Sequence, residues 1–362
     1  MADDGSIDGF VDPRFADVRA AFAANFEDGS ELGAAFAVAG PDGLLVDLVG
    51  GYADKARTTP WSHASMVGIY SSGKAVTALL IAREVAAGRL DYDAPVAHYW
   101  PAFAAAGKET ITLGMAMSHQ AGLVGFADEI APADWLDWDL TAGRVAAMAP
   151  LFAPGSASAY HPQTYGFIAG EVLRRVTGRT VGETLRADYP DLDVRCGLTD
   201  AEFDRTVDML KPPRAPDLGE ITDIRRIAFL KPWSSPARVA RRDWARAEIP
   251  ASNVHASASG LARLCVRFVD GTVDPAVFDV RIDGDDLVLP FHLWWAAGIM
   301  SNKSGHYGPN PRAFGHGGSG GSCIVVDPER KLSIVYVMNK MSPHLIGDPR
   351  AVRLLDAVYA AL

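Results

Sequence analysis

Apolar and polar positions change their spacing several times along this chain. Residues 33–40 (GAAFAVAG) and 44–50 (LLVDLVG) are short apolar runs on either side of Pro41-Asp42-Gly43, which predicts a β-hairpin. From Ser71 to about Gly88 the spacing turns helical, with Val76, Leu79, Leu80, Arg83 and Val85 in mixed periodicity and Gly88 as a stop. Residues 90–185 read mostly as helix or loop, and 164–177 (TYGFIAGEVLRRVT) as a buried helix. Residues 205–250 are rich in proline, arginine and tryptophan without clear periodicity and read as a long excursion, a lid over a site. Helical spacing returns at 257–269 (SASGLARLCVRFV). Strands are expected at 293–300 (LWWAAGIM), 322–326 (SCIVV) and 332–338 (LSIVYVM), the last two joined across 327–331, and a terminal helix at 349–361. Strands at both ends with helices between them predict an α+β fold: one antiparallel sheet flanked by helices, plus a mainly helical part. The expected division is 1–68 with 251–362 for the sheet, and 69–250 for the helical insert.

Composition narrows the classes. A chain of 362 residues suits one large domain or two intimate ones, and 49% apolar residues supply a sizeable core. No uninterrupted apolar stretch reaches the ~18 residues of a membrane span. The opening MADDGSIDGFVDP is acidic and lacks the basic-then-apolar run of a secretion signal, so a cytoplasmic protein is expected. A net charge of −10 argues against nucleic acid or anionic membrane as partner. Cys196, Cys265 and Cys323 are odd in number and in no ligand spacing, as for reduced thiols. His63, His98 and His255 also lack metal-ligand spacing, so neither a metal nor another cofactor is expected.

The candidate chemistry begins at Ser71-Ser72-Gly73-Lys74. Positions i and i+3 of a helix share a face. A serine hydroxyl is a poor nucleophile without a base beside it, and a lysine removed from water loses affinity for its proton.

Three motifs in order resemble the serine β-lactamase and penicillin-binding protein superfamily, and within it the family VIII carboxylesterases near class C β-lactamases. They are Ser71-x-x-Lys74, Tyr160-His161-Pro162 and His316-Gly317-Gly318. Between them, residues 90–96 (LDYDAPV) and 118–123 (SHQAGL) match the family's connecting segments, and the similarity covers roughly residues 30–340. The resemblance implies Ser71 as nucleophile at a helix N-terminus, Lys74 as the neighbour that eases its deprotonation, and Tyr160 as a candidate base. The Tyr160 phenol is expected to ionise more readily beside a lysine ammonium. The three form a coupled proton cluster with no single microscopic base assigned. The backbone N–H groups of Ser71 and Ser319 are the implied oxyanion hole. Asn253, in 250–255 (PASNVH), falls where the family approaches the active site.

Departures from the lactamase pattern bear on substrate. His316 and Gly317 stand where lactamases carry lysine and threonine, and Pro162 stands where they carry an amide-binding asparagine. With those recognition groups gone, small neutral esters are the expected substrates, and Arg312 is the candidate substitute cation. His316, Gly317, Gly318, Asn253 and Trp233 are the expected substrate-binding residues, with Trp294 and Trp295 as further candidates for an apolar acyl pocket. Acyl transfer to an alcohol, amide or β-lactam hydrolysis, and a non-catalytic acyl-binding or assembly role are the alternatives. Residues 317–321 (GGSGG) also fit G-x-S-x-G, the nucleophile elbow of α/β-hydrolases. That motif needs a helix after the serine, and CIVV with a turn and another strand is expected instead.

Overall fold

The computed structural model describes residues 7–236 and 239–362. The acidic first six residues, and residues 237–238 of the 205–250 excursion, lie outside the described residues. The chain builds a nine-stranded antiparallel sheet in the order β1-β3-β2-β12-β11-β10-β9-β8-β7. Its strands are β1 (Asp8–Val11), β2 (Gly33–Gly40), β3 (Gly43–Gly51), β7 (Ile282–Asp285), β8 (His292–Trp295), β9 (Met300–Ser301), β10 (Phe314–Gly317), β11 (Cys323–Asp327) and β12 (Leu332–Met338). A second, three-stranded sheet joins β4 (Val67–Gly68), β5 (Val194–Arg195) and β6 (His255–Ala256). The longer helices are α1 (Ala16–Glu27), α2 (Gly73–Ala86), α3 (Trp138–Ala147), α4 (Thr164–Thr177), α5 (Val181–Asp188), α6 (Ala258–Cys265) and α7 (Pro349–Ala360).

The β2–β3 hairpin is joined through β2 to β12, so the two chain ends meet in mid-sheet, with Ala35 opposite Val337 and Ala37 opposite Val335. Side chains alternate between faces along a strand. Ala35, Ala37, Val335 and Val337 join the core shared with α2, α4 and α6. Ala34, Phe36, Val38, Ile334 and Tyr336 face the core built with α1 and α7. Both faces are covered, which is why these strands read as continuous apolar runs.

Two expected elements differ. The run 293–300 is two short strands, because Ala296 N–H turns back to Ile299 O at 2.9 Å. The helix expected from Ser71 starts two residues later, at Gly73, after a single 3₁₀ turn over Tyr70–Ser72. The 205–250 excursion holds only short helical segments, and several of its residues form the wall of the cavity described below. Among the described residues no helix is long and apolar enough to cross a membrane.

Candidate active site

Ser71 sits where the sheet meets the helices. Tyr70, just before it, is held in the left-handed backbone region at φ +47°. A non-glycine residue there costs of order 1–3 kcal/mol and persists only where its surroundings impose it. The sharp turn places Ser71 on the wall of a cavity of about 1080 Å³ shared with Tyr70, Pro162, Phe229, Trp244, His255 and Ser319.

Lys74 is fully buried. Its Nζ donates to Pro162 O at 2.9 Å and to Ala251 O at 3.0 Å, and lies 3.2 Å from Ser71 Oγ. No carboxylate is among its partners in the described residues, so burial pushes its pKa well below the ordinary lysine value. Two glycines allow this cage. A Cβ on Gly73 would stand 2.8 Å from Val254, and one on Gly166 would stand 2.5 Å from Ala251 N. The segment 250–254 therefore passes tightly between the starts of α2 and α4, carrying the Ala251 carbonyl to Lys74.

Tyr160 is buried with its phenol beside Ser71, and Lys74 Nζ stands 4.7 Å from its ring centroid. Burial raises the phenol pKa; Ser71 opposes this more weakly, and Asp286 adds to the rise. The expectation of easier ionisation is thus reversed: Tyr160 is held as a neutral phenol. The reason is its dry setting beside a lysine that burial also drives towards neutrality.

The sequence reading missed Asp286. Its Oδ1 accepts the backbone N–H groups of Tyr160 at 3.0 Å, Val288 at 2.9 Å and Leu289 at 2.9 Å. Its Oδ2 accepts Trp295 Nε1–H at 3.2 Å, and the Trp295 ring stacks on Tyr160 at 5.9 Å and 15°. One carboxylate therefore fixes both the tyrosine and the indole behind it. The only signal in the sequence was an acid at the head of the apolar stretch 286–295 (DLVLPFHLWW). A pair of buried histidines was missed too. His161 Nε2 accepts Leu123 N–H at 3.0 Å, which leaves the proton on Nδ1, 3.3 Å from His119 Nδ1.

Ser319 lies in the turn between β10 and β11, on the same cavity wall as Ser71. Ser72 Oγ lies 3.1 Å from Ser322 Oγ, and Ser322 Oγ donates to Ile69 O at 2.9 Å, so the two turns are tied together. After Ser319 the chain enters β11, not a helix, so the 317–321 match is not a nucleophile elbow.

Several expected binding residues sit elsewhere. His316, Gly317 and Gly318 are not on the described cavity wall. The His316 ring is buried 6.1 Å from Tyr160; Nδ1 bonds Gly317 O at 2.8 Å, and Nε2 has no partner among the described residues. Burial first, then Lys74, lowers its pKa to about 3. Asn253 is a correction: its Oδ1 accepts Ile249 N–H at 2.8 Å, and its Nδ2 donates to Trp244 O and Ala247 O, both at 2.7 Å. That buried amide is committed to backbone and has no group left for a ligand. Trp233 is another: it donates to Phe126 O at 3.0 Å and packs away from the cavity, whose aromatic wall is Tyr70, Phe229 and Trp244. Trp294 packs on His292 in β8, off the cavity wall. Arg312 is 71% exposed, pairs with Glu329 at 2.8 Å and is off the cavity wall.

The fold and this site define a serine hydrolase on the β-lactamase and penicillin-binding-protein architecture. Comparison with known proteins agrees. The Beta-lactamase family profile matches residues 18–359, and the chain belongs to that family. It is 34% identical over 372 residues to "Esterase/beta-lactamase LipL" of Mycobacterium tuberculosis, covering 94% of this chain and 85% of that protein. A penicillin-binding protein homolog from Caulobacter crescentus superposes with a TM-score of 0.95 at 50% identity, over 99% of this chain and all of the other (100%). A family VIII carboxylesterase superposes at 0.92 with 36% identity, over 99% and 100% of the two chains.

Proposed function

We propose that the protein is a carboxylesterase that cleaves small neutral esters through an acyl-enzyme on Ser71. The observation that carries this is the Lys74 cage. A neutral amine has two N–H donors and one lone pair. The carbonyls of Pro162 and Ala251 take the two donors, and the lone pair meets the Ser71 hydroxyl. Lys74 then accepts the Ser71 proton as Oγ bonds to the ester carbonyl carbon. The backbone N–H groups of Ser71 and Ser319 receive the developing oxyanion. Collapse breaks the bond to the alcohol oxygen. Tyr160, a neutral phenol beside Ser71, hands a proton to that oxygen and is refilled from Lys74. Water repeats the sequence on the acyl-serine and frees the acid.

Two relatives support the ester reading, one an esterase/β-lactamase and the other a family VIII carboxylesterase. Of the cations on the cavity wall, Arg241 is already paired with Asp208 at 3.0 Å, and Lys55 and Lys211 are exposed. An alcohol in place of water would give acyl transfer by the same steps. A division into sheet (1–68, 251–362) and helical (69–250) parts is retained as the working boundary. A cytoplasmic location is supported by three buried, unpaired thiols. The test is hydrolysis of p-nitrophenyl acetate by the wild type and Ser71→Ala: turnover that vanishes in the variant supports the reading, and equal turnover rejects it.

A further inference from the structure

Among the buried polar side chains on the cavity wall that the mechanism above does not use, His255 is the one with an aromatic frame. His255 is 4% exposed, in β6, and its Nδ1 bonds Asn253 O at 2.8 Å. A carbonyl can only accept, so the proton is on Nδ1 and the Nε2 lone pair points elsewhere. Nε2 has no hydrogen-bond partner among the described residues, and the ring lines the cavity that holds Ser71. Trp244 packs on His255 at 5.6 Å and 67°, and Tyr70 lies 6.2 Å from Trp244. Gly68, the register partner of His255, keeps the approach open: a Cβ there would sit 3.4 Å from Nε2 and 3.9 Å from Trp244.

We propose that His255 Nε2, framed by Tyr70 and Trp244, is a substrate subsite that accepts a hydrogen bond from a hydroxyl on the ester. The subsite rests on the esterase reading and narrows it from neutral esters in general to hydroxyl-bearing ones. An acceptor in an aromatic wall favours a group with an apolar body and one donor. An isostere with a methyl in place of the hydroxyl leaves the lone pair facing carbon and forfeits that bond. Burial, the largest influence, lowers the His255 pKa to about 4, so the imidazole stays a neutral acceptor in ordinary buffers.

The hydroxyl can reside on the acyl or the alcohol side, and two substrate pairs separate these. One compares p-nitrophenyl 3-hydroxybutyrate with p-nitrophenyl 3-methylbutyrate; the other compares 2-hydroxyethyl butyrate with propyl butyrate. The wild type should prefer the hydroxyl member of one pair by roughly 3- to 10-fold in kcat/KM, the span of one neutral hydrogen bond. His255→Phe keeps a ring against Trp244 and removes the acceptor, and should bring that ratio to about one. Gly68→Ala places a methyl before Nε2 and should lower the same ratio without touching the histidine. A ratio near one for both pairs in the wild type would overturn the subsite, as would a preference that survives both substitutions. These outcomes are read with Ser71-dependent turnover intact. No turnover of any of the four esters would instead reject the esterase reading beneath it.

Discussion

Ser72 Oγ and Ser322 Oγ lie 3.1 Å apart, and this contact joins the turn bearing Ser71 to the turn bearing Ser319. The two backbone N–H groups assigned to the oxyanion come from residues 248 positions apart in sequence (319 − 71). Their spacing depends on such cross-links, because a hole aimed at a developing charge must be set before reaction. Ser72→Ala removes one hydroxyl and leaves the Ser322–Ile69 bond in place. It should lower kcat by about tenfold with little change in KM, since the lost effect is confined to the transition state. Steady-state kinetics check this; a change in KM alone would remove the positioning role.

Lys74→Ala and Tyr160→Phe should each lower kcat by at least ~10², the lower end for acid–base groups. The double variant should lose little more than either single, because both serve one proton path. Activity also requires Lys74 without its proton. The profile of kcat/KM should therefore rise with pH through the depressed lysine value, then level. A profile that falls over that range would contradict a neutral lysine base.

Four buried histidines set acid stability, and burial first of all lowers His119 well below its ordinary value. Burial lowers His161 and His316 to about 3 and His255 to about 4. The unfolded chain, near 6.5, takes up these protons first, so stability is lost as pH falls below about 6.5 and continues to fall until the folded values are reached. Each histidine contributes about 1.4 kcal/mol per pH unit in that window. Urea midpoints should drop steeply from about pH 6.5 to about pH 5. A flat midpoint across that interval would show that these rings can be protonated in the folded protein.

Selectivity follows from what the site lacks. Each missing charged or hydrogen-bonding contact to a β-lactam is worth on the order of 1.5–3 kcal/mol, so short neutral esters should exceed cephalosporins by roughly 10²–10⁴ in kcat/KM. Arg312→Ala should leave both activities unchanged, because that side chain pairs with Glu329 outside the cavity. If cephalosporin turnover matched the esters, Lys55 and Lys211 on the cavity wall would be the next cations to remove.

Local patterns carried much of the fold. The β2–β3 hairpin, β12, α4 and α7 follow from apolar runs and turn residues that their own neighbours explain. The motif positions Ser71, Lys74 and Tyr160 were also legible, and the structure brings them together. What stayed hidden depends on long-range contact. Asp286 reads as one more surface acid until its bonds to Tyr160 and Trp295 are seen. Asn253 and Trp233 read as ligand groups, yet backbone groups already occupy them, from nearby residues for Asn253 and from Phe126 for Trp233. The neutral state of Tyr160 follows from burial, which spacing alone does not report.

The most direct test of the central claim is covalent labelling with a fluorophosphonate followed by peptide mapping. Nucleophilic attack by Ser71, with Lys74 at 3.2 Å as its base, predicts a single adduct on Ser71 and none in Ser71→Ala. An adduct on Ser319, together with undiminished esterase activity in Ser71→Ala, would contradict it.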